Sequence, residues 1–199
     1  MRITAGALRG RKLATLGGRG TRPTSSRVRE AVFNLLRDRI EGARVLDLYA
    51  GSGALGIEAL SRGAARASFV DSSAPARRTI RENLASLGLT ERGGVVGGVT
   101  KSAVRSLSDG GERFDIVFVD PPYGRGIAEE TLKAIAAARV IENGGVVVVE
   151  CGKRESLGER YGRLQLQTSR LYGDTRILLF EVLSPRRRGT LESQEGGSG

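Results

Sequence analysis

The stretch Arg44-Val-Leu-Asp47-Leu-Tyr49-Ala50-Gly51-Ser52-Gly53-Ala-Leu-Gly56 decides the fold. Residues 44–49 form a short apolar run that reads as a strand buried on both faces, and the glycines after it turn the chain into a helix ending near Arg62. The same unit recurs downstream. Residues 66–71 form a second strand, after which Ser73 and Pro75 open a helix that Gly88 closes. Residues 93–99 give a third strand, weakened by glycine, and a short helix over 101–107. Residues 114–119 (FDIVFV) give a fourth, followed by Asp120-Pro121-Pro122-Tyr123 and a helix over 128–138, and residues 146–150 a fifth. Strands alternating with helices predict an α/β fold, a Rossmann-like, mostly parallel sheet covered on both faces. Residues 164–171 and 175–183 flank Gly173-Asp174, a type II′ turn pattern, so the sheet ends in an antiparallel C-terminal hairpin.

Upstream, Val28, Val32, Leu35, Leu36 and Ile40 recur at helical spacing with Ser25 or Ser26 placed to cap. A glycine-rich loop over 17–20 and Thr21-Arg22-Pro23-Thr24 precede this helix, and residues 2–12 read as a short hairpin or extended arm. The chain thus divides into a basic N-terminal arm and helix (1–40), a sheet domain (41–183) and an expected disordered tail (184–199).

The 199 residues suit one ordinary domain, 39% apolar and 27% charged, which argues against a disordered polyelectrolyte or a membrane bundle. The longest stretch free of charge is the ten positions 48–57, short of the ~20 that a spanning helix requires. No apolar core follows the basic start to serve as a secretory signal, so a cytoplasmic protein without membrane contact is expected. The single Cys151 cannot form an internal disulfide. Histidine is absent, which excludes His-based acid/base chemistry, Ser-His-Asp triads and His metal sites. No metal is expected.

Lys plus Arg is 32 against 22 acids, a net charge of +10, and only four of those cations are Lys. Residues 1–30 hold eight cations against Glu30 alone, whereas residues 41–120 hold ten of each sign. A basic arm beside a neutral body is the electrostatic footprint of a protein that grips a polyanion with one part. Arginine suits that task through planar, bidentate phosphate recognition.

The turn after the first strand is literally G-x-G-x-x-G, and Asp71 stands twenty residues after Gly51, at the end of the second strand, where a ribose-binding acid belongs. Such a loop offers close backbone approach and the positive end of a helix dipole. It fits NAD, FAD or S-adenosyl-L-methionine, or a glycine turn without a ligand. Asp47 just before it would repel a pyrophosphate but suits the ammonium and sulfonium of S-adenosylmethionine; the alternative is that Asp47 only hydrogen-bonds loop amides. Asp71 has the alternative role of a helix-entry acid.

Asp120-Pro121-Pro122-Tyr123 follows the fourth strand. In an open α/β sheet ligands bind at the carboxyl ends of strands, so this turn and the glycine loop are expected to face one crevice. Two prolines stiffen the turn and leave carbonyls free to accept hydrogen bonds. A base's exocyclic amine is a poor nucleophile because its lone pair is delocalised into the ring. The Asp120 carboxylate and Pro121 carbonyl, accepting its two hydrogens, would localise that pair toward a methyl donor, and Tyr123 offers a ring to stack on. The competing reading is a rigid proline turn with an incidental aromatic.

These residues resemble a known family. D-P-P-Y is the amino-methyltransferase signature, and residues 47–63 (DLYAGSGALGIEALSRG), with Gly20-Thr-Arg-Pro-Thr24 and Arg27-Val-Arg-Glu30, look like the RsmD-type 16S rRNA guanine-N2 methyltransferases. The resemblance runs from about Arg2 to Val182. It implies a class I methyltransferase fold with a small RNA-binding N-terminal extension, S-adenosyl-L-methionine as donor, and one guanine N2 of 16S rRNA as acceptor, in the small ribosomal subunit or its assembly intermediate. Asp47, Tyr49, Ala50, Gly51, Ser52, Gly53, Asp71 and Ser72 are then the candidate cofactor residues, and Asp120, Pro121, Pro122 and Tyr123 the catalytic ones. Arg9, Arg11, Arg22, Thr24 and Arg27 are the candidate RNA contacts. Asp71 stands where Glu is commoner, and residues 97–100 offer no acid for the adenine. Rival readings are a DNA adenine-N6 methyltransferase, disfavoured by the ~40 residues left for target recognition, a non-catalytic RNA-binding assembly factor and, more distantly, a nicotinamide enzyme.

Overall fold

The computed structural model describes residues 1–16, 26–124 and 126–183. Helix α1 (Ser26–Leu35) leads into strand β1 (Arg44–Leu48), after which the chain alternates: α2 (Ala54–Ser61), β2 (Arg66–Asp71), α3 (Ala74–Ser86), β3 (Gly93–Gly97), α4 (Thr100–Asp109), β4 (Phe114–Val119), α5 (Ile127–Ala138) and β5 (Ile141–Gly152). Three strands close the sheet: β6 (Arg160–Tyr161), β7 (Leu164–Tyr172) and β8 (Thr175–Val182). The order is β3-β2-β1-β4-β5-β8-β7-β6. Strands β1 to β5 pair in parallel, and β5-β8-β7-β6 antiparallel.

Side-chain alternation along these strands divides the core into two layers. Val45, Phe69, Ile116, Phe118, Val146, Val148, Ile177 and Leu179 share one layer with the apolar stripes of α1, α2 and α3. Leu46, Leu48, Val70, Val117, Val119, Val147, Val149 and Phe180 form the other with α4 and α5. Helix α1 docks through Phe33, whose ring centre lies 5.7 Å from that of Phe118.

The first segment does form a hairpin-like loop, closed by a single antiparallel bridge between Arg2 and Lys12. It is built into the body rather than projecting from it. Thr4 and Ala5 donate to the buried Glu58 carboxylate of α2, Ala7 N–H donates to Ser61 O, and Ile3 and Leu13 enter the core. Arg29 is sealed on α1, 3.5 Å from Glu58, and donates to Arg2 O, so one cation of the basic segment faces inward. Desolvation lowers its pKa against the pull of Glu58.

Several boundaries differ from the sequence reading; strand β3 stops at Gly97 and α4 spans Thr100–Asp109. Strand β1 ends at Leu48 because Tyr49 adopts a left-handed backbone, φ +61°. Strand β5 begins at Ile141, which pairs with Phe114 of β4; the register then shifts across Glu142-Asn143-Gly144-Gly145, which interrupts the apolar run, and pairing resumes at Val146 with Ile116. The two-residue β6 carries no periodicity of its own and exists through pairing with β7. The expected tail over 184–199 lies outside the described residues, and no described helix is long and apolar enough to cross a membrane.

Candidate active site

The sheet reverses its strand order between β1 and β4, the place where an α/β sheet opens a crevice at its carboxyl edge. The glycine turn leaves β1 there and the D-P-P-Y turn leaves β4, and these strands pair in register through Leu48 and Val119. Asp47 pairs across to Phe69 and Phe118, and Phe118 to Val148. Two residues further along their strands, Asp71, Asp120 and Glu150 therefore stand at one level, on the α1–α3 face that Phe69, Phe118 and Val148 share. Asp47 lies one step below on the same face.

Asp47 is 2% exposed, and its Oδ2 accepts the Gly56 amide at 2.9 Å. Burial first, and then the neighbouring Asp120 and Asp71, push its pKa up to about 8, against the lowering effect of the Gly56 bond. Its carboxyl group thus anchors the first turn of α2. Asp71 is half-buried and joins two segments: Oδ2 accepts from Gly51 N at 2.9 Å and Oδ1 from Ser73 N at 2.8 Å. Each oxygen keeps a further lone-pair direction for a hydroxyl.

The loop holds the geometry that close ligand approach requires. Gly51 and Gly53 have φ +56° and +79°, and nothing in the fold would crowd a side chain at Gly51 more closely than 4.0 Å. Gly56 serves packing instead, since an added Cβ would lie 2.3 Å from the Phe69 ring. Ala50 is buried and donates to Val70 O at 3.1 Å. Ser52 offers its carbonyl to buried Asn83 of α3, which also holds Ala14 through both amide atoms and so ties the N-terminal segment to the loop. Tyr49 reaches across to α5, its hydroxyl 2.7 Å from Thr131 Oγ1; that Oγ1 donates to Ile127 O, so the phenol is the donor of the pair. Ser72 lies exposed beside Asp71, its carbonyl capped by Arg77 Nη1.

On the other side, Pro121 is buried and Pro122 exposed. Tyr123 is 41% exposed while its hydroxyl is tethered, donating to Glu150 Oε1 at 2.8 Å with Thr175 Oγ1 at 3.2 Å. Partial burial, with Glu150 alongside, raises the phenol's pKa, so it stays protonated as a donor. Glu155 completes the brace, one carboxylate oxygen accepting from both Gly124 N and Gly152 N. A ring held at its far end and open on its side is a fixed platform. Sequence reading missed Glu150, Thr175, Glu155 and Asn83. An acid ending the apolar run of β5 and an amide inside the apolar stripe of α3 were the available signals. Cys151 is fully buried, and burial pushes its thiol up to about 11, as suits a packing residue.

The candidate RNA residues separate. Arg27 is exposed on the first turn of α1; with Arg29 beside Glu58 and the Phe33 ring under Arg62, α1 runs in the same direction as α2, so that turn lies toward the carboxyl edge of the sheet. Arg9 and Arg11 are not brought to the crevice: their loop caps the far end of α2, through Ala7 to Ser61, and Arg11 donates to Ser86 O at the end of α3. The α2 end lies about 12 Å from the glycine turn, the length of an eight-residue helix. The reason is local, because Gly6 packs against the Ser61 backbone where no side chain fits. Arg22 and Thr24 lie outside the described residues.

The sequence model of the family described as "Conserved hypothetical protein 95" matches residues 1–181. The chain belongs to that family. It is 36% identical over 181 residues to ribosomal RNA small subunit methyltransferase D of Escherichia coli K12, spanning 91% of this chain and 89% of that protein. Among solved structures, hypothetical protein TTHA0928 of Thermus thermophilus superposes with a TM-score of 0.80 at 32% identity, covering 92% of this chain and 99% of that one. The structure of SMU.776 complexed with SAH shares the fold at a TM-score of 0.58 and 15% identity, over 77% of this chain and 49% of that one. This member of the Conserved hypothetical protein 95 family therefore has the class I methyltransferase fold, and its resemblance to the RsmD-type enzymes holds along almost the whole chain.

Proposed function

We propose that the protein transfers a methyl group from S-adenosyl-L-methionine to the exocyclic N2 of a guanine in 16S rRNA, presented by the small ribosomal subunit or an assembly intermediate. The observation that carries this reading is the juxtaposition of two turns, glycine-rich after β1 and D-P-P-Y after β4, on paired strands at the sheet's switch point. The rRNA small subunit methyltransferase relatives and the fold shared with an SAH complex support it.

The donor fits the glycine side. Gly51, Ser52 and Gly53 expose backbone at the start of α2, Asp71 has acceptor capacity left for ribose hydroxyls, and Tyr49, Ala50 and Ser72 line the approach. When bound, S-adenosylmethionine supplies an electrophilic methyl on a sulfonium sulfur. Asp47 keeps the first turn of α2 in place from below. Across the crevice, Tyr123 stacks on a guanine extruded from its RNA, because an amine within a stack is inaccessible. The Asp120 carboxylate and the Pro121 carbonyl accept the two amine hydrogens and turn the nitrogen lone pair toward the methyl. As the N–C bond forms, the donor's methyl–sulfur bond would break with its electron pair left on sulfur, giving neutral S-adenosylhomocysteine; the Asp120 carboxylate stabilises the positive charge growing on nitrogen and then takes the released proton on its way to solvent. Pro122 keeps the turn stiff. Arg27, Arg22 and Thr24 contact the RNA backbone, and Arg9 and Arg11 serve as peripheral phosphate contacts.

The test is Asp120→Ala, which should abolish tritiated methyl transfer to small subunits while leaving calorimetric donor binding within about threefold. Normal turnover by that variant refutes the role of Asp120.

A further inference from the structure

A groove lies between α1 and the end of β7, outside the two turns, and it is lined by Arg27, Glu30 and Asn34 on the helix and by Arg170 and Tyr172 on the strand. Its place in the fold follows from strand direction. Strand β7 runs parallel to β5, so its last residues lie at the carboxyl edge of the sheet, where α1 passes alongside Arg170 and Tyr172. Arg170 pairs with Ile177 and Tyr172 with Thr175, and paired residues of antiparallel strands share a face; Ile177 belongs to the layer that α1 covers. The groove therefore opens on the same face and at the same edge as Asp71, Asp120 and Glu150. Thr175 connects them directly, since its Oγ1 lies 3.2 Å from the hydroxyl of Tyr123.

We propose that this groove seats the RNA strand flanking the extruded guanine, with Arg27 and Arg170 on phosphates, Tyr172 stacking on a neighbouring base and Asn34 reading a base edge. The inference rests on the function proposed above and adds the second wall of the substrate path, which comes from the C-terminal hairpin rather than the N-terminal segment. Arg27 and Arg170 are both exposed and face one channel from opposite sides, with a half-buried aromatic between them and the catalytic tyrosine. Cations beside a stacking ring are the composition of a single-strand path. Among the described residues, Glu30 is the one carboxylate of the lining; it repels phosphate from the middle of the channel and leaves the two arginines as the points of backbone contact.

The experiment compares the full-length parent with Arg170→Glu, Arg27→Glu and Tyr172→Leu, the last keeping apolar packing while removing the ring. Small ribosomal subunits from a strain lacking the enzyme are the substrate, and the readouts are KM, kcat and the salt dependence of subunit binding. Each arginine variant should raise KM about tenfold, the loss expected for one charge-assisted contact, and flatten the slope of log K against log salt by about 0.7 per lost single-strand phosphate. Tyr172→Leu should raise KM without changing the slope. In all three, kcat and calorimetric affinity for SAH should stay within about twofold of the parent. Unchanged KM and slope in the arginine variants overturn the groove while leaving the proposed reaction intact. A parent that methylates no small-subunit rRNA overturns both.

Discussion

The first and third glycines of the motif have different tasks, and replacing each of Gly51 and Gly56 by alanine separates them. At Gly56 an added Cβ would lie 2.3 Å from Phe69 Cε1 and 2.8 Å from Cζ. The ring cannot swing away, because Phe69 is fully buried and Ile57 and Ile80 crowd the same space at Gly53. Either α2 lifts from β2 or the ring leaves its rotamer, which places Gly56→Ala at about 3 kcal/mol, the upper end of overpacking costs. Gly51 has φ +56° but open space, so Gly51→Ala carries backbone strain alone, about 1 kcal/mol after the unfolded chain's loss of entropy is counted. For a chain of this size those costs correspond to Tm decreases of about 6–12 °C and about 2–4 °C. Calorimetric unfolding of both variants, alongside SAH titration, is the assay. Because Gly56 N–H also holds Asp47, its replacement should weaken SAH binding as well. A Gly56→Ala protein within about 1 kcal/mol of the parent refutes the packing argument.

Two further outcomes follow from the site. The folded protein holds the Asp47 proton up to about pH 8, whereas an unfolded chain releases it near about pH 4, so the folded state binds more protons across that window and stability falls as pH rises through it. Asp47→Asn keeps the acceptor for Gly56 and removes the titration; its stability relative to the parent should improve between about pH 5 and pH 8 in denaturant melts, and an equal difference at both pH values contradicts the buried carboxylic acid. Tyr123→Phe keeps the ring but deprives buried Glu150 of a donor, costing about 1–2 kcal/mol of stability and less than about tenfold in kcat/KM, whereas Tyr123→Ala should cost about a hundredfold. Equal kinetic losses in the two variants would show that the ring is no platform.

Local chemistry made the crevice legible. A glycine turn after one apolar run and a proline turn after another specify their strands' carboxyl ends, and parallel order sets those ends side by side. The brace behind Tyr123 was hidden because it depends on Thr175, 52 residues away, brought near by an antiparallel register that no local pattern encodes. Burial also changed the meaning of charges. Arg29 counts among the basic residues of the N-terminus, yet it is enclosed with Glu58, and Asp47 reads as a counter-charge for a cationic ligand, yet burial favours its protonated form and it accepts from a helix amide. Arg9 and Arg11 share a segment with Arg27 in sequence but sit at the opposite end of α2 in space, because the N-terminal loop is pinned to the last turn of that helix whereas α1 begins at the carboxyl edge of the sheet.

The most direct measurement is mass-spectrometric mapping of small-subunit rRNA from a strain lacking this protein, before and after incubation with the purified protein and S-adenosyl-L-methionine. The account expects one guanine of 16S rRNA to gain a single methyl on N2 with the parent protein and none with Asp120→Ala. A methyl appearing on another atom or on DNA, or no methyl gained at all, would contradict it.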